Sequence, residues 1–269
     1  MNLKQLEAFV QVAEGGSFSK VSLSEDGIKL YKYAKQMLDL QREIEVTFGM
    51  DEEGESHAVI IAASTIPAQY LLPEVLTRFS ERYPQEQIRI QETDSSKVVM
   101  QIVDHRVDIG FTGTVLEKKH CKYIPFYKDE LVIITPNTPK YQELAQGNKE
   151  DISWIKKEHV IMREEGSGTR KEAELQLKGA GVKFAGLDII ASIENQETIK
   201  KSVRQGMGIS VLSKLATADE VANGEILAFP IPNSDEGRDI NLVYNKNYQM
   251  TRSAERFIKV VKEVYNIPR

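Results

Sequence analysis

The apolar positions of this chain fall into two regimes, one with helical spacing alone and one with short strands alternating with helices. Between Leu3 and Ala13 the first regime puts Leu3, Leu6, Phe9, Val10 and Ala13 on one stripe, which Gly15 and Gly16 interrupt. A second, longer helix is predicted over 24–50. Leu30, Ala34, Met37, Gln41, Ile44 and Phe48 recur three or four apart there, Tyr31 and Leu38 widen the stripe, and Ser24 stands where an N-cap is needed. So long a helix, with little globular sequence around it, needs a partner for its apolar face. A second copy of the same helix is the expected cover. Polar DEEGES at 51–56 then reads as a hinge.

The second regime begins after it. Strands are predicted at 58–63, 87–93, 107–111 and 130–135, with helices at 67–83 and 95–105. The same order starts again with strands at 159–162, 189–192 and 209–212 and helices at 168–178 and 198–205. Strands at 226–229 and 240–244 and a helix at 251–265 close the chain. This alternation predicts an α/β fold whose sheets are mostly parallel, in two tandem units with a ligand cleft between them. No internal repeat is visible at the level of sequence.

Composition narrows the functional classes. With 41% apolar and 28% charged residues over 269 positions, the chain can bury real cores and stay in solution. No apolar run is long enough to cross a membrane, and the single Cys121 rules out an intrachain disulfide, which favours a cytoplasmic setting. The net charge is −5, and residues 1–50 carry six Lys/Arg against seven Asp/Glu, so no basic patch marks a nucleic-acid site. No nucleophile elbow GxSxG is present. His57, His105, His120 and His159 are dispersed and form no HExxH or Cys/His metal pattern. Neither an enzyme, a metal site nor a cofactor is expected.

One local motif carries chemistry on its own. EEGSGTR, from Glu164 to Arg170, follows a predicted strand and opens a helix. Ser167, Gly168 and Thr169 can offer hydroxyls, a close backbone approach and helix-start amides to a carboxylate, sulfate or phosphate. Arg170 either strengthens such an anion site or pairs with Glu174 along the helix.

The segments QLEAFVQVAEGGSFSK and LSEDGIKLYKYAKQ together resemble the N-terminal region of LysR-type transcriptional regulators. In that family roughly 35–40 residues, carrying the rest of the helix-turn-helix, lie between them. Here one segment passes straight into the other at Lys20–Val21, so the helix that would read DNA is absent from this sequence. The resemblance extends over nearly the whole chain. It implies an incomplete winged helix-turn-helix (1–23), a linker and dimerisation helix (24–50), a hinge (51–56) and a two-lobed effector domain like a periplasmic binding protein. Lobe I is expected at 57–128 plus 246–269 and lobe II at 129–245.

The family's cleft-lining corners fall here on Ser64 and Thr65, on Thr93 and Asp94, and on Thr112 and Gly113. They face Ser167, Gly168, Thr169 and Arg170, with Asn195 and Gln196 on the opposing wall. The implied function is a regulator controlled by a small anionic or amphoteric metabolite between the lobes. Its implied partners are promoter DNA, through the complete winged helix, and further copies of itself as a dimer or tetramer. Two alternatives are a shortened regulator that dimerises without reading DNA and a solute-binding protein, although the latter has no use for the helix at 24–50.

Overall fold

A computed structural model describes residues 2–15, 24–48, 58–147, 151–234 and 237–267. The chain divides into two bodies, one of residues 1–57 with 247–251 and one of residues 58–246 with 252–269. The Lys20–Val21 junction and the stretch at 51–56 lie outside the described residues.

The first body is a pair of helices, α1 (Leu3–Gly15) and α2 (Glu25–Phe48). Asn2 and Gln5 cap α1 reciprocally, since the Gln5 amide donates to Asn2 Oδ1 at 2.9 Å while the Asn2 amide donates to Gln5 Oε1 at 3.0 Å. Ser24 caps α2 as expected, accepting from the Gly27 amide at 3.2 Å. The two helices pack on each other, and among the described residues Leu6 and Ala34 are the buried ones of the pair. The broad stripe anticipated on α2 therefore splits. Ala34 faces α1, whereas Leu30, Met37 and Ile44 stay exposed, and Tyr33 and Leu40, which the stripe did not include, are exposed beside them, all between 37% and 63%. Their 3-4-3-4 spacing is that of a coiled-coil seam.

The second body holds two five-stranded sheets with the same design. One contains β1 (Val59–Ala63), β2 (Ile88–Glu92), β3 (Ile109–Thr112), β4 (Cys121–Asp129) and β10 (Arg238–Asn245), in the order β2-β1-β3-β10-β4. The other contains β5 (Leu131–Pro136), β6 (His159–Arg163), β7 (Asp188–Ile193), β8 (Ile209–Ser213) and β9 (Ile226–Pro230), in the order β7-β6-β8-β5-β9. Three strands of each are parallel, but β10 and β5 run antiparallel to both neighbours, so the sheets are mixed rather than mostly parallel. Each reversed strand is the first one laid down after the chain crosses from the other sheet. Crossing inverts the direction of travel, and that is the physical source of the mixture.

Three further differences follow from this topology. The strand expected at 240–244 falls in the anticipated lobe II, but as β10 it pairs β3 and β4, so it belongs to lobe I and the return crossing lies between Pro230 and Arg238. The passage after Phe111 holds a nine-residue strand, β4, and Pro139–Gln146 forms helix α5, neither of which the apolar pattern predicts. The helix expected over 67–83 is divided into a π-helical turn (Pro67–Leu71) and α3 (Leu72–Arg82).

Helices α4 (Ser95–Val103) and α9 (Arg252–Val264) cover lobe I with α3, and α6 (Gly168–Gly179), α7 (Gln196–Arg204) and α8 (Lys214–Ala222) cover lobe II with α5. Lobe I is centred on aromatics. Phe257 of α9 lies 5.1 Å from Phe79 and 6.3 Å from Phe111, ring centre to ring centre, and all three are fully buried. Lobe II has an aliphatic core that includes Ile133, Ile155, Leu177 and Ile209.

Candidate functional site

Both sheets end their parallel strands on the same side, where an open α/β sheet presents its loops to ligands. The corners come from the ends of β1, β2 and β3 in lobe I and from the end of β6 in lobe II. Together with the start of β10 they line one cleft: Ser64, Thr65, Thr93, Asp94 and Gly113 on one wall, Arg163, Ser167, Gly168 and Thr169 on the other, with Arg238 between. The two walls touch. Arg163 Nη2 donates to Thr65 Oγ1 at 3.5 Å, Ser96 Oγ to the Gly166 carbonyl at 3.5 Å, and Arg238 Nη2 to Thr169 Oγ1 at 3.0 Å. The remaining space, about 10 Å³, is that of a single water molecule. Gly168 makes the approach possible, since a Cβ there would stand 2.7 Å from Ser95 Oγ across the cleft.

Two helices start at the cleft. Asp94 caps α4 by accepting from the Lys97 amide at 2.9 Å, and Ser167 caps α6 by accepting from the Arg170 amide at 3.4 Å. Both starts bring partial positive charge and unpaired amides to the same place. Ser95, the first residue of α4, is only 1% exposed, yet its hydroxyl has no hydrogen-bond partner. An orphaned buried hydroxyl normally calls for an explanation, and this one lies in the lining of the cleft.

The arginines are already paired. Arg163 meets Glu164 through two bonds, Nε to Oε2 at 2.8 Å and Nη2 to Oε1 at 2.9 Å. Arg238 donates from Nε and Nη2 to Asp129 Oδ2 at 2.9 and 2.8 Å, with both partners almost wholly buried. Asp129 also accepts from Ser213 Oγ at 2.5 Å. The side-chain charges lining the cleft are therefore largely neutralised, and free recognition rests on hydroxyls and helix-start amides. Burial alone would push the Asp94 carboxyl up, but the Lys97 amide and the Lys97 ammonium 3.0 Å away outweigh it and hold the group below its ordinary range.

The expected site residues separate into two sets. Ser64, Thr65, Thr93, Asp94, Gly113, Ser167, Gly168 and Thr169 line the cleft, while Thr112, Arg170, Asn195 and Gln196 do not. Thr112 is buried one residue behind Gly113, and its hydroxyl is exchanged with the backbone of Thr114. Arg170 turns away to Glu174 (3.1 Å) and the Arg163 carbonyl (3.2 Å), over the ring of Phe184. Asn195 caps α7 through the Thr198 amide. Gln196 bonds instead to Gln69 Oε1 at 3.0 Å and to the Tyr70 hydroxyl at 3.3 Å, a second tie between the lobes. Ile66 lines the cleft beside Ser64 and Thr65, at the corner where the resemblance implies it, whereas Ser95, Arg163 and Arg238 line it without having been anticipated. Arg163 carried a local signal, an arginine ending an apolar strand just before EEGSGTR. Arg238 carried none, because its place depends on a crossing that only the fold reveals.

Among the described residues no group of three or more His, Cys, Asp or Glu could hold a metal ion. None of the helices described is long and apolar enough to cross a membrane.

Comparison with known proteins gives a consistent pattern. Residues 52–266 match the family described as the LysR substrate binding domain. The uncharacterized HTH-type transcriptional regulator YeiE of Escherichia coli (strain K12) is 28% identical, with 100% of this chain and 99% of the relative covered. That alignment runs over 304 residues, 35 more than the 269 of this chain. The regulatory domain of Synechocystis PCC6803 CcmR, solved in complex with 2-PG, is 25% identical, with a TM-score of 0.67 over 79% of this chain and 99% of that one. Full-length CbnR, solved in complex with its target DNA, superposes with a TM-score of 0.66 at 15% identity, covering 97% of this chain and 99% of that one, a likeness of fold.

Proposed function

The chain belongs to the LysR family of transcriptional regulators, and we propose that its cleft senses a small anionic or amphoteric metabolite. The observation that carries this reading is the buried, unpartnered Ser95 hydroxyl between the starts of α4 and α6. A sulfate, phosphate or carboxylate group there would accept from Ser95, Ser64 and Thr169 and from helix-start amides. Because Arg163 and Arg238 already hold carboxylates, a compact group of this kind suits the cleft better than one needing a free guanidinium clamp.

With space for only one water, the cleft must open to admit any such ligand. Binding and lobe movement are then one event, and the ligand shifts the population of lobe angles by its differential affinity. The test is a melting-temperature and Trp154 fluorescence titration with sulfate, phosphate, O-acetylserine and an amino-acid panel, run on the native chain and on Ser95→Ala. A response that weakens about three- to tenfold in Ser95→Ala supports the reading. Silence to the whole panel, or an unchanged affinity in the variant, sinks it.

In this reading the α2 seam joins two copies in the cytoplasm, pairs of dimers form tetramers, and promoter DNA is held by winged helices at their ends. The alignment with the E. coli regulator is 35 positions longer than this chain, a length compatible with the segment that would complete the winged helix. Intact-mass measurement tests it. A mass about 4 kDa above the 30.4 kDa of this sequence corresponds to the complete reading head. A mass of 30.4 kDa, with no shift of DNA in a gel, corresponds instead to a subunit that dimerises without reading DNA.

A further inference from the structure

The roomier opening lies away from the cleft. A groove of about 440 Å³ runs along lobe II between β9 and α8, against 10 Å³ in the cleft. Its walls are apolar, with Val132, Val221, Ala228 and Ile231 among them, and two opposite charges stand at it, Lys214 and Glu130. Such a volume with an apolar lining and few polar groups matches an ordinary small-molecule site.

We propose that this groove is a second ligand site, which takes an α-amino acid with a large apolar side chain. The charges argue for a zwitterion. Lys214 Nζ lies 2.7 Å from Glu130 Oε2, and both side chains are more than half exposed, so the pair is weak and opens at little cost. A carboxylate alone would meet Glu130 and an amine alone would meet Lys214. An α-amino acid presents both signs on one carbon, carboxylate to Lys214 and ammonium to Glu130, with its side chain directed into the apolar groove. A peptide strand added to β9 is disfavoured, although β9 is an edge strand, because Pro230 ends it without an amide to donate.

The place of the groove gives the ligand something to act on. Glu130 and Leu131 follow the first crossing between lobes, and Ile231 and Ser234 lie on the second. Asp129, one residue before Glu130, holds Arg238, which lines the cleft. An occupant therefore touches both crossings from behind the hinge. The assignment does not depend on what the cleft binds.

Calorimetric titration of the whole chain with L-leucine and L-phenylalanine is the test, with 4-methylpentanoate and 3-methylbutylamine as single-charge controls. The expected result is saturable binding of the amino acids, at least tenfold weaker binding of both controls, and slowed hydrogen exchange in peptides covering 226–234. Val221→Trp, a change at a 37% exposed position, fills the groove and abolishes binding, and Lys214→Met weakens it about tenfold while Ser95→Ala leaves it intact. If Val221→Trp disturbs the melting temperature, Lys214→Met alone carries the test, since it removes only an exposed ammonium. Absence of binding overturns the proposal. So do equal binding of the single-charge controls, an unchanged affinity in Lys214→Met, and loss of binding in Ser95→Ala with retention in Val221→Trp, which would place the amino acid in the cleft.

Discussion

Helices α2 and α9 carry the same kind of apolar stripe and meet opposite fates. On α9, Ala254, Phe257, Ile258 and Val261 are 0–8% exposed, covered by α3 and the first sheet. On α2, Leu30, Tyr33, Met37, Leu40 and Ile44 remain 37–63% exposed, although Ala34 on the neighbouring face is buried against α1. A stripe declares that a face wants cover. It does not declare whose. The 3-4-3-4 spacing on α2 suits a second helix of the same kind, and the wider face of α9 suits a sheet.

The largest expected effect tests the covered stripe. Phe257→Ala removes a ring that contacts Phe79 and Phe111, and about 3–5 kcal/mol of stability should go with it, read by urea denaturation at any protein concentration. The next tests the uncovered one. Leu40→Glu should leave the urea midpoint of residues 58–267 where it is, yet weaken self-association by about tenfold or more in analytical ultracentrifugation. An unchanged association constant would mean that something other than a second copy covers α2. Between the two faces of α2, Ala34→Leu should overpack the contact with α1 and destabilise the helix pair by roughly 1–3 kcal/mol, seen as lost helical circular dichroism in a 1–50 peptide.

The smallest effect concerns a helix end, where a cap acts whatever covers the face. Asp94→Ala should cost about 1 kcal/mol. Its pH dependence has a definite sign. The folded carboxyl titrates below its unfolded value, so its stabilisation is complete above the ordinary range near pH 4 and fades as pH falls through the folded value. Urea midpoints measured down an acid series should therefore fall less steeply in Asp94→Asn than in the native chain.

What could be read in advance divides along similar lines. The turns at Ser64–Thr65 and Ser167–Thr169 were legible because small polar residues between a strand and a helix signal a turn and a cap, whereas the place of Ser64–Thr65 and Thr93–Asp94 in a cleft came from the resemblance to LysR-type regulators. Arg170 was legible only as a pair of alternatives, and in the fold it turns toward Glu174 with its guanidinium over the ring of Phe184. Strand β4 was hidden by Pro125, which interrupts its pattern. The sheet accommodates that proline beside a register shift between Ile240 and Asn241 of β10. Arg238 could not be foreseen at all, for INLVY reads the same in either lobe and its partners β3 and β4 lie more than 100 residues earlier.

By itself, then, the sequence determined the local matters: helix and strand periods, the cap at Ser24, the glycine-rich turn before α6, and the two segments that mark the family. These depend on neighbours within a few residues, where spacing fixes geometry. The tertiary structure alone decided which strands reverse, that Arg238 and Asp129 meet at the hinge, that the Ser95 hydroxyl is buried without a partner, and that a second groove opens behind the crossings. Each of those depends on chain segments far apart in sequence, whose meeting is set by the sum of the packing.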